Sequence, residues 1–269
     1  KRGYPKIGSL LHYCWFGRKE MPALLQLCIA SWKKYLPDYQ IKRWDETNFD
    51  FNMAPLCREA YTAKKWAFVA DYCRIYALYT EGGIYMDTDI MVLKNFDEFL
   101  KHSFCSSHEY QPWIFDTQKK QYVNENGKCI VGEQYVPGFG IQSGIMMAEK
   151  GIPFLKDCMD FYNQLHLPDN LMDIVVVKIL AKLMEKYGYR YTIENLYFPI
   201  YNIRITPPYV FSNMTTLTKD SYAWHMYFRS WGTGFSVKQI LRNRFPKIYT
   251  ILQLLLHKKF RLIYKVISL

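Results

Sequence analysis

The sequence lacks any run approaching the roughly 18 unbroken apolar residues of a membrane-crossing helix, and its seven cysteines include no Cys-x-x-Cys pair. An odd, scattered set argues against a disulfide frame or a zinc site and predicts reduced core thiols in a cytoplasmic protein. Lys1-Arg2-Gly3-Tyr4-Pro5 has no apolar signal core, so a secreted reading has no support. Internal repeats and low-complexity linkers are also missing, and the 269 residues read as one catalytic-type domain with an appendage.

Acidic residues are the most informative shortage. None falls within residues 236–269, where Lys238, Arg242, Arg244, Lys247, Lys258, Lys259, Arg261 and Lys265 supply eight of the net eleven positive charges. The body, residues 1–235, is left nearly balanced, without the spread of basic and aromatic side chains that a nucleic-acid-binding face needs. No acid falls within residues 6–17 either. A metal-dependent phosphatase would need a nucleophilic aspartate near that first strand.

Half of the residues are apolar and 22% are charged, enough for a real core. Residues 6–16 predict a strand. Residues 21–35 carry apolar side chains at helical spacing, and residues 39–44 alternate like a second strand. Strand, helix, strand opens an α/β fold with a parallel pair. Residues 58–80 predict one long buried helix ended by Gly82-Gly83, and residues 84–93 a strand interrupted by two acids. Residues 104–134 read as a polar, irregular insertion, 138–148 as a return to apolar strand and 169–187 as a helix. Residues 197–210, with three prolines, read as irregular or edge strand.

The strongest chemical signal is Asp87-Thr88-Asp89. Acids two apart on a strand face the same side and repel unless a cation lies between them. Hard oxygen ligands suit magnesium or manganese, with phosphate oxygens completing the shell; two solvated acids at a strand end are the plain alternative. Asp71 and Arg74 share one face of the otherwise apolar helix. They read equally as an internal ion pair or as a polar pair aimed into a cleft, with Arg for phosphate or sugar oxygens and Asp for hydroxyls.

Several segments in order carry a likeness: Lys6-Ile7 with Leu11-His12-Tyr13-Cys14-Trp15-Phe16-Gly17, then residues 28–39, then Ala63 to Arg74, then Glu81-Gly82-Gly83-Ile84-Tyr85-Met86-Asp87-Thr88-Asp89. Over roughly residues 5–100 the chain resembles glycosyltransferase family 32, the capsular-polysaccharide and Och1-like sugar transferases, and the likeness returns at residues 148–154 and 225–231. The resemblance implies a Rossmann-like GT-A fold, a nucleotide-sugar donor, a divalent metal (Mn2+ or Mg2+) and retention of anomeric configuration. It places Trp15 on a uracil base, Asp71 and Arg74 at the donor sugar, and Asp87, Asp89 and His225 at the metal. Ser230 and Trp231 fall near the diphosphate, and Gln142 on the acceptor side. Asp71, Asp89 and Gln142 are thus the catalytic candidates. Two positions depart from the family pattern: Gln142-Ser143 stands where Thr-Asn is common, and Ala70 where Ser is usual.

The tail, residues 236–269, sets Ile248, Tyr249, Ile251, Leu252, Leu254, Leu255 and Leu256 behind Pro246, flanked by basic residues. It reads as an amphipathic helical segment for an anionic membrane surface, or as a helix packed on the domain with a solvated basic edge. With the resemblance, the expected protein is a peripheral enzyme of the inner membrane face. It would transfer a hexose from a UDP-sugar to an oligosaccharide on a polyprenyl-diphosphate lipid.

Overall fold

Strand β1 (Leu10–Cys14) leads into helix α1 (Ala23–Tyr35), and strand β2 (Gln40–Trp44) returns parallel to β1, in the order the sequence suggests. The computed structural model describes residues 7–132, 134–228 and 237–269, so Ser230 and Trp231 lie outside the described residues. The single helix expected over residues 58–80 is two: α2 (Pro55–Thr62), opened by proline at its first turn, and α3 (Trp66–Glu81). Lys64, with φ of 56°, turns the chain between them. The strand expected over residues 84–93 is also two, β3 (Gly83–Met86) and β4 (Ile90–Val92), and the acid pair occupies the turn between them.

Residues 104–134, expected to be irregular, hold a buried strand, β5 (Phe104–Tyr110), and helix α4 (Pro112–Tyr122). The strand expected over residues 138–148 is split into β6 (Phe139–Ile141) and β7 (Ile145–Ala148). Helix α5 (Pro153–Asn163) had no counterpart among the expectations, and α6 (Val176–Met184) is the regular part of the helix expected over residues 169–187. Strand β8 (Leu196–Phe198) is an edge strand, whereas β9 (Ile203–Thr206) pairs on both sides and is interior. The short strands β10 (Phe211–Ser212) and β11 (Ala223–His225) precede the tail helices α7 (Val237–Arg244), α8 (Pro246–Leu256) and α9 (Ile263–Ile267).

The main sheet is mixed, ordered β2-β1-β3-β7-β5-β9-β8 with β6 on β5, and a smaller sheet runs β10-β11-β4. Strand period sorts side chains to two faces. Tyr85, Met146, Ala148 and Phe104 join the α2, α3, α5 and α6 layer, while Ile84, Met86, Ile145, Met147 and Cys105 join α1 and the small sheet. Trp32 anchors the second layer, fully buried, its indole N–H donating to Ile90 O at 2.7 Å. Gly83 has φ of 103°, and a Cβ there would stand 2.4 Å from Leu10 O; glycine lets β3 start hard against β1.

The tail has two faces. Tyr249, Leu254, Leu262 and Val266 pack with Leu24, Leu25, Leu27 and Cys28 of α1, and the Lys265 ammonium donates to Leu93 O. On the other side Leu256 is 74% and Tyr264 is 64% exposed, beside exposed Lys258 and Arg261. The inner face packs on the domain, and the outer face presents apolar and basic side chains to solvent.

Candidate metal and donor site

Strands β2 and β3 flank β1 and run parallel to it, so the carboxyl ends of all three form one edge, where α/β sheets bind ligands. Trp15 lies directly past β1 on that edge, with its backbone N–H on Trp44 O at 2.9 Å and its indole N–H on Lys19 O at 2.7 Å. It is half-buried against the apolar cluster of Met91, Trp224 and Phe228. Asp87-Thr88-Asp89 lies past β3, where the chain leaves the large sheet for the small one.

The two acids do not share a strand face, as the spacing alone suggested, yet the turn keeps them together. Ligand atoms of Asp87, Asp89 and His225 all lie within 4.8 Å of one another. His225 arrives on β11, which pairs antiparallel with β4 so that His225 stands opposite Ile90. Its Nε2 is 3.3 Å from Asp89 Oδ1, and Phe228 N–H donates to Asp89 Oδ2 at 2.7 Å. Burial opposes ionisation of Asp89, but His225 and the Phe228 N–H outweigh it and hold the carboxyl below its usual range. Burial likewise opposes a charged His225, but Asp89, then Asp87 and Glu109, raise the imidazole to about 9. Two carboxylates and an imidazole that gives up its proton on binding suit a divalent ion such as manganese or magnesium. A Cβ on Gly144 would sit 3.0 Å from Asp87 Oδ2 and 3.2 Å from both Gln142 Oε1 and His225 Cε1, so glycine keeps that space open. The residues present therefore fit a bound cation.

Arg74 lies behind the acids. Its Nη2 is 2.9 Å from Asp71 Oδ1, and its Nη1 is 3.3 Å from Asp87 Oδ2 and donates to Ser143 O at 2.9 Å. The ion pair and the cleft pair anticipated for Asp71 and Arg74 are thus one arrangement, joined to the acid turn. Burial pushes the Asp71 carboxyl up to about 7, with Asp87 adding to it and Arg74 opposing. Tyr85, which the sequence reading passed over, donates its hydroxyl to Asp87 Oδ1 at 2.9 Å. Gln142 is 1% exposed; its Oε1 accepts Gly144 N–H at 2.9 Å and its Nε2 stands 3.3 Å from His225 Nδ1. Gly144, Glu109 and Tyr227 also border the site, and no pattern of spacing marked them.

Residues 22–105 match the family described as "Glycosyltransferase sugar-binding region containing DXD motif"; the motif in this chain is Asp87-Thr88-Asp89, and Gln142 and His225 fall outside the matched segment. No curated protein matches the sequence. Among solved structures the chain is similar to "PaToxG Glycosyltransferase", at 16% identity and a TM-score of 0.45 over 68% of this chain and 70% of that one. It is similar to a glycosyltransferase involved in the glycosylation of the major capsid of PBCV-1, at 12% identity and a TM-score of 0.42 over 81% and 93%. It is also similar to the galactosyltransferase LgtC in complex with donor and acceptor sugar analogues, at 12% identity and a TM-score of 0.40 over 91% and 95%.

Proposed function

We propose that this protein is a retaining, metal-dependent glycosyltransferase of GT-A type, similar to family 32. It would move a hexosyl group, galactose, glucose or an N-acetylated form, from a UDP-sugar to a growing bacterial surface polysaccharide. One observation carries the reading: Asp87, Asp89 and His225 converge at the carboxyl edge of parallel strands, and the two acids belong to a segment matching a DXD sugar-binding region.

Breaking a sugar–phosphate bond leaves negative charge on the diphosphate and positive charge on the sugar. Asp87, Asp89 and His225 would hold a manganese or magnesium ion, which when bound would supply positive charge that favours that departure. Arg74, braced between two carboxylates, presents a fixed cation behind the acid turn. Asp71, buried beside Arg74, offers a carboxylate oxygen to a sugar hydroxyl. Trp15 offers a π face for uracil, Ser230 and Trp231 are proposed diphosphate contacts, and Gln142 the acceptor-side group next to His225.

We assign residues 1–235 to catalysis and the open face of residues 236–269 to an anionic membrane surface, where a polyprenyl-diphosphate-linked acceptor is presented from the cytoplasmic side. Its support is the set of exposed apolar side chains with exposed cations and no acid in the tail. No helix among the described residues is long and apolar enough to cross a membrane.

The test is a donor screen with UDP-galactose, UDP-glucose, their N-acetylated forms and GDP-mannose, read as metal-dependent hydrolysis and transfer. A UDP-sugar should be preferred, and Asp89→Ala should lower turnover by roughly 10²–10³-fold. Full activity in excess EDTA would remove the metal from the reading, and a preference for GDP-mannose would remove uridine.

A further inference from the structure

Residues 225–228 close on the acid turn through an unusual backbone conformation. Tyr227 has φ of 49°, a left-handed value that a bulky aromatic residue keeps only where its surroundings hold it. Contacts to Asp89 lie on both sides of it: Met226 N–H donates to Asp89 O at 3.1 Å, and Phe228 N–H donates to Asp89 Oδ2. The Tyr227 ring packs on His225 with centroids 4.3 Å apart and planes at 41°.

One side chain ties this turn to the main sheet. The Tyr227 hydroxyl donates to Glu109 on β5, and Asn213 Nδ2 donates to the same carboxylate oxygen at 3.3 Å. Glu109 is 6% exposed. A carboxylate is expensive to bury without donors around it, and both partners here are donors, as an ionised acid requires. The strained turn, the ring on His225 and the buried acid at the hydroxyl are separate observations that meet in one residue.

We infer that Glu109 is a positioning residue. Through the Tyr227 hydroxyl it latches the left-handed turn that brings the Phe228 N–H onto Asp89 and the Tyr227 ring onto His225, and so holds in place the metal-binding side chains that the β4–β11 ladder brings together. The inference rests on the metal reading above for its consequence, though not for its geometry.

Full-length variants Tyr227→Phe, which keeps the ring, Glu109→Ala, and the two combined test it. The first readout is amide hydrogen exchange at Phe228 in metal-free protein, with Ile84 of β3 as an internal control. The second is Mn2+ affinity by electron paramagnetic resonance. Each single variant should speed exchange at Phe228 by roughly tenfold, the effect of losing one charge-assisted hydrogen bond, and leave Ile84 unchanged. Each should weaken Mn2+ binding to a similar degree. The double variant should be no worse than either single one, since one interaction is lost once. Glu109→Gln, which still offers an acceptor to the hydroxyl, should keep slow exchange at Phe228. Unchanged exchange in Tyr227→Phe, additive losses in the double variant, or acceleration shared by Ile84 would each overturn the latch. If the native protein binds no Mn2+, the metal reading falls, and the exchange data still decide whether Glu109 holds the turn.

Discussion

Arg74 Nη1 lies 3.3 Å from Asp87 Oδ2, so the first acid of the DXD turn is paired from inside the protein. The same guanidinium holds Asp71, and Arg74 is 4% exposed. Removing it leaves buried Asp71 and half-buried Asp87 without their shared cation. Arg74→Met is therefore expected to cost about 3–5 kcal/mol of stability, measured by denaturant unfolding. Arg74→Lys should recover only part, because one ammonium does not reproduce the guanidinium fork. Native stability in Arg74→Met would show that the pair does not brace the turn.

Gly144→Ala should separate site from fold. The backbone there is not left-handed, and the nearest atoms the added methyl meets belong to Asp87, Gln142 and His225. At 3.0–3.2 Å these groups need to give by only a few tenths of an ångström, and Asp87 and His225 are the side chains that would hold the cation, so the effect of the methyl falls on that site. It is expected to appear as a loss of roughly tenfold or more in Mn2+ affinity, with the thermal midpoint little changed. A lowered midpoint with native Mn2+ binding would place the strain elsewhere.

Acid should loosen the protein through His108. Its ring nitrogens meet Tyr189 Oη at 3.0 Å and Glu194 O at 2.8 Å, and burial pushes the imidazole down to about 4. The folded state thus binds a proton less readily than the unfolded chain, whose histidine titrates near 6.5. This contribution is full above about pH 6.5 and is lost as pH falls through 4, amounting to about 3 kcal/mol. Urea unfolding between pH 7 and pH 4 should show that slope, and His108→Gln should flatten it. An equal slope in the variant would assign the acid sensitivity to other groups.

The tail predicts two different outcomes for two kinds of change. Leu256→Glu with Tyr264→Glu alters exposed positions and should abolish binding to vesicles containing anionic lipid while leaving the thermal midpoint near native. Truncation after residue 235 removes Leu254, Leu262 and Val266 from their packing on α1, where each large core side chain is worth about 2–5 kcal/mol. The shortened protein should be markedly less stable. Vesicle binding that survives the double substitution would move the contact to another face.

The first half of the chain was legible because its signals are local. The β1–α1–β2 unit and the Gly82-Gly83 stop after α3 lie where apolar period and turn residues say, whereas the acid pair, read as part of one strand, occupies the turn between β3 and β4. The break between α2 and α3 was hidden because Lys64, rather than glycine or proline, takes the left-handed turn. Strand β5 was hidden because Ser106, Ser107, His108 and Glu109 look like surface. In the fold they are buried and satisfied by partners distant in sequence, such as Thr206 for Ser107 and the Gln142 and Ile145 carbonyls for Ser106. Spacing marked Asp71 and Arg74 but could not join them to Asp87, since that link is made only when α3 packs beneath β3. Glu109 and Tyr227 were invisible for the same reason.

The ladder between β4 and β11, with His225 opposite Ile90, works as a ruler. The register that puts the imidazole beside the acid turn is set by strand pairing, so loops within residues 93–222, the stretch between these two strands, are free to vary in length without shifting it. A slip of a single residue in that pairing would turn the imidazole to the opposite face. Tolerance to insertion in this part of the chain should therefore be graded by whether the inserted residue lies between strands or within one.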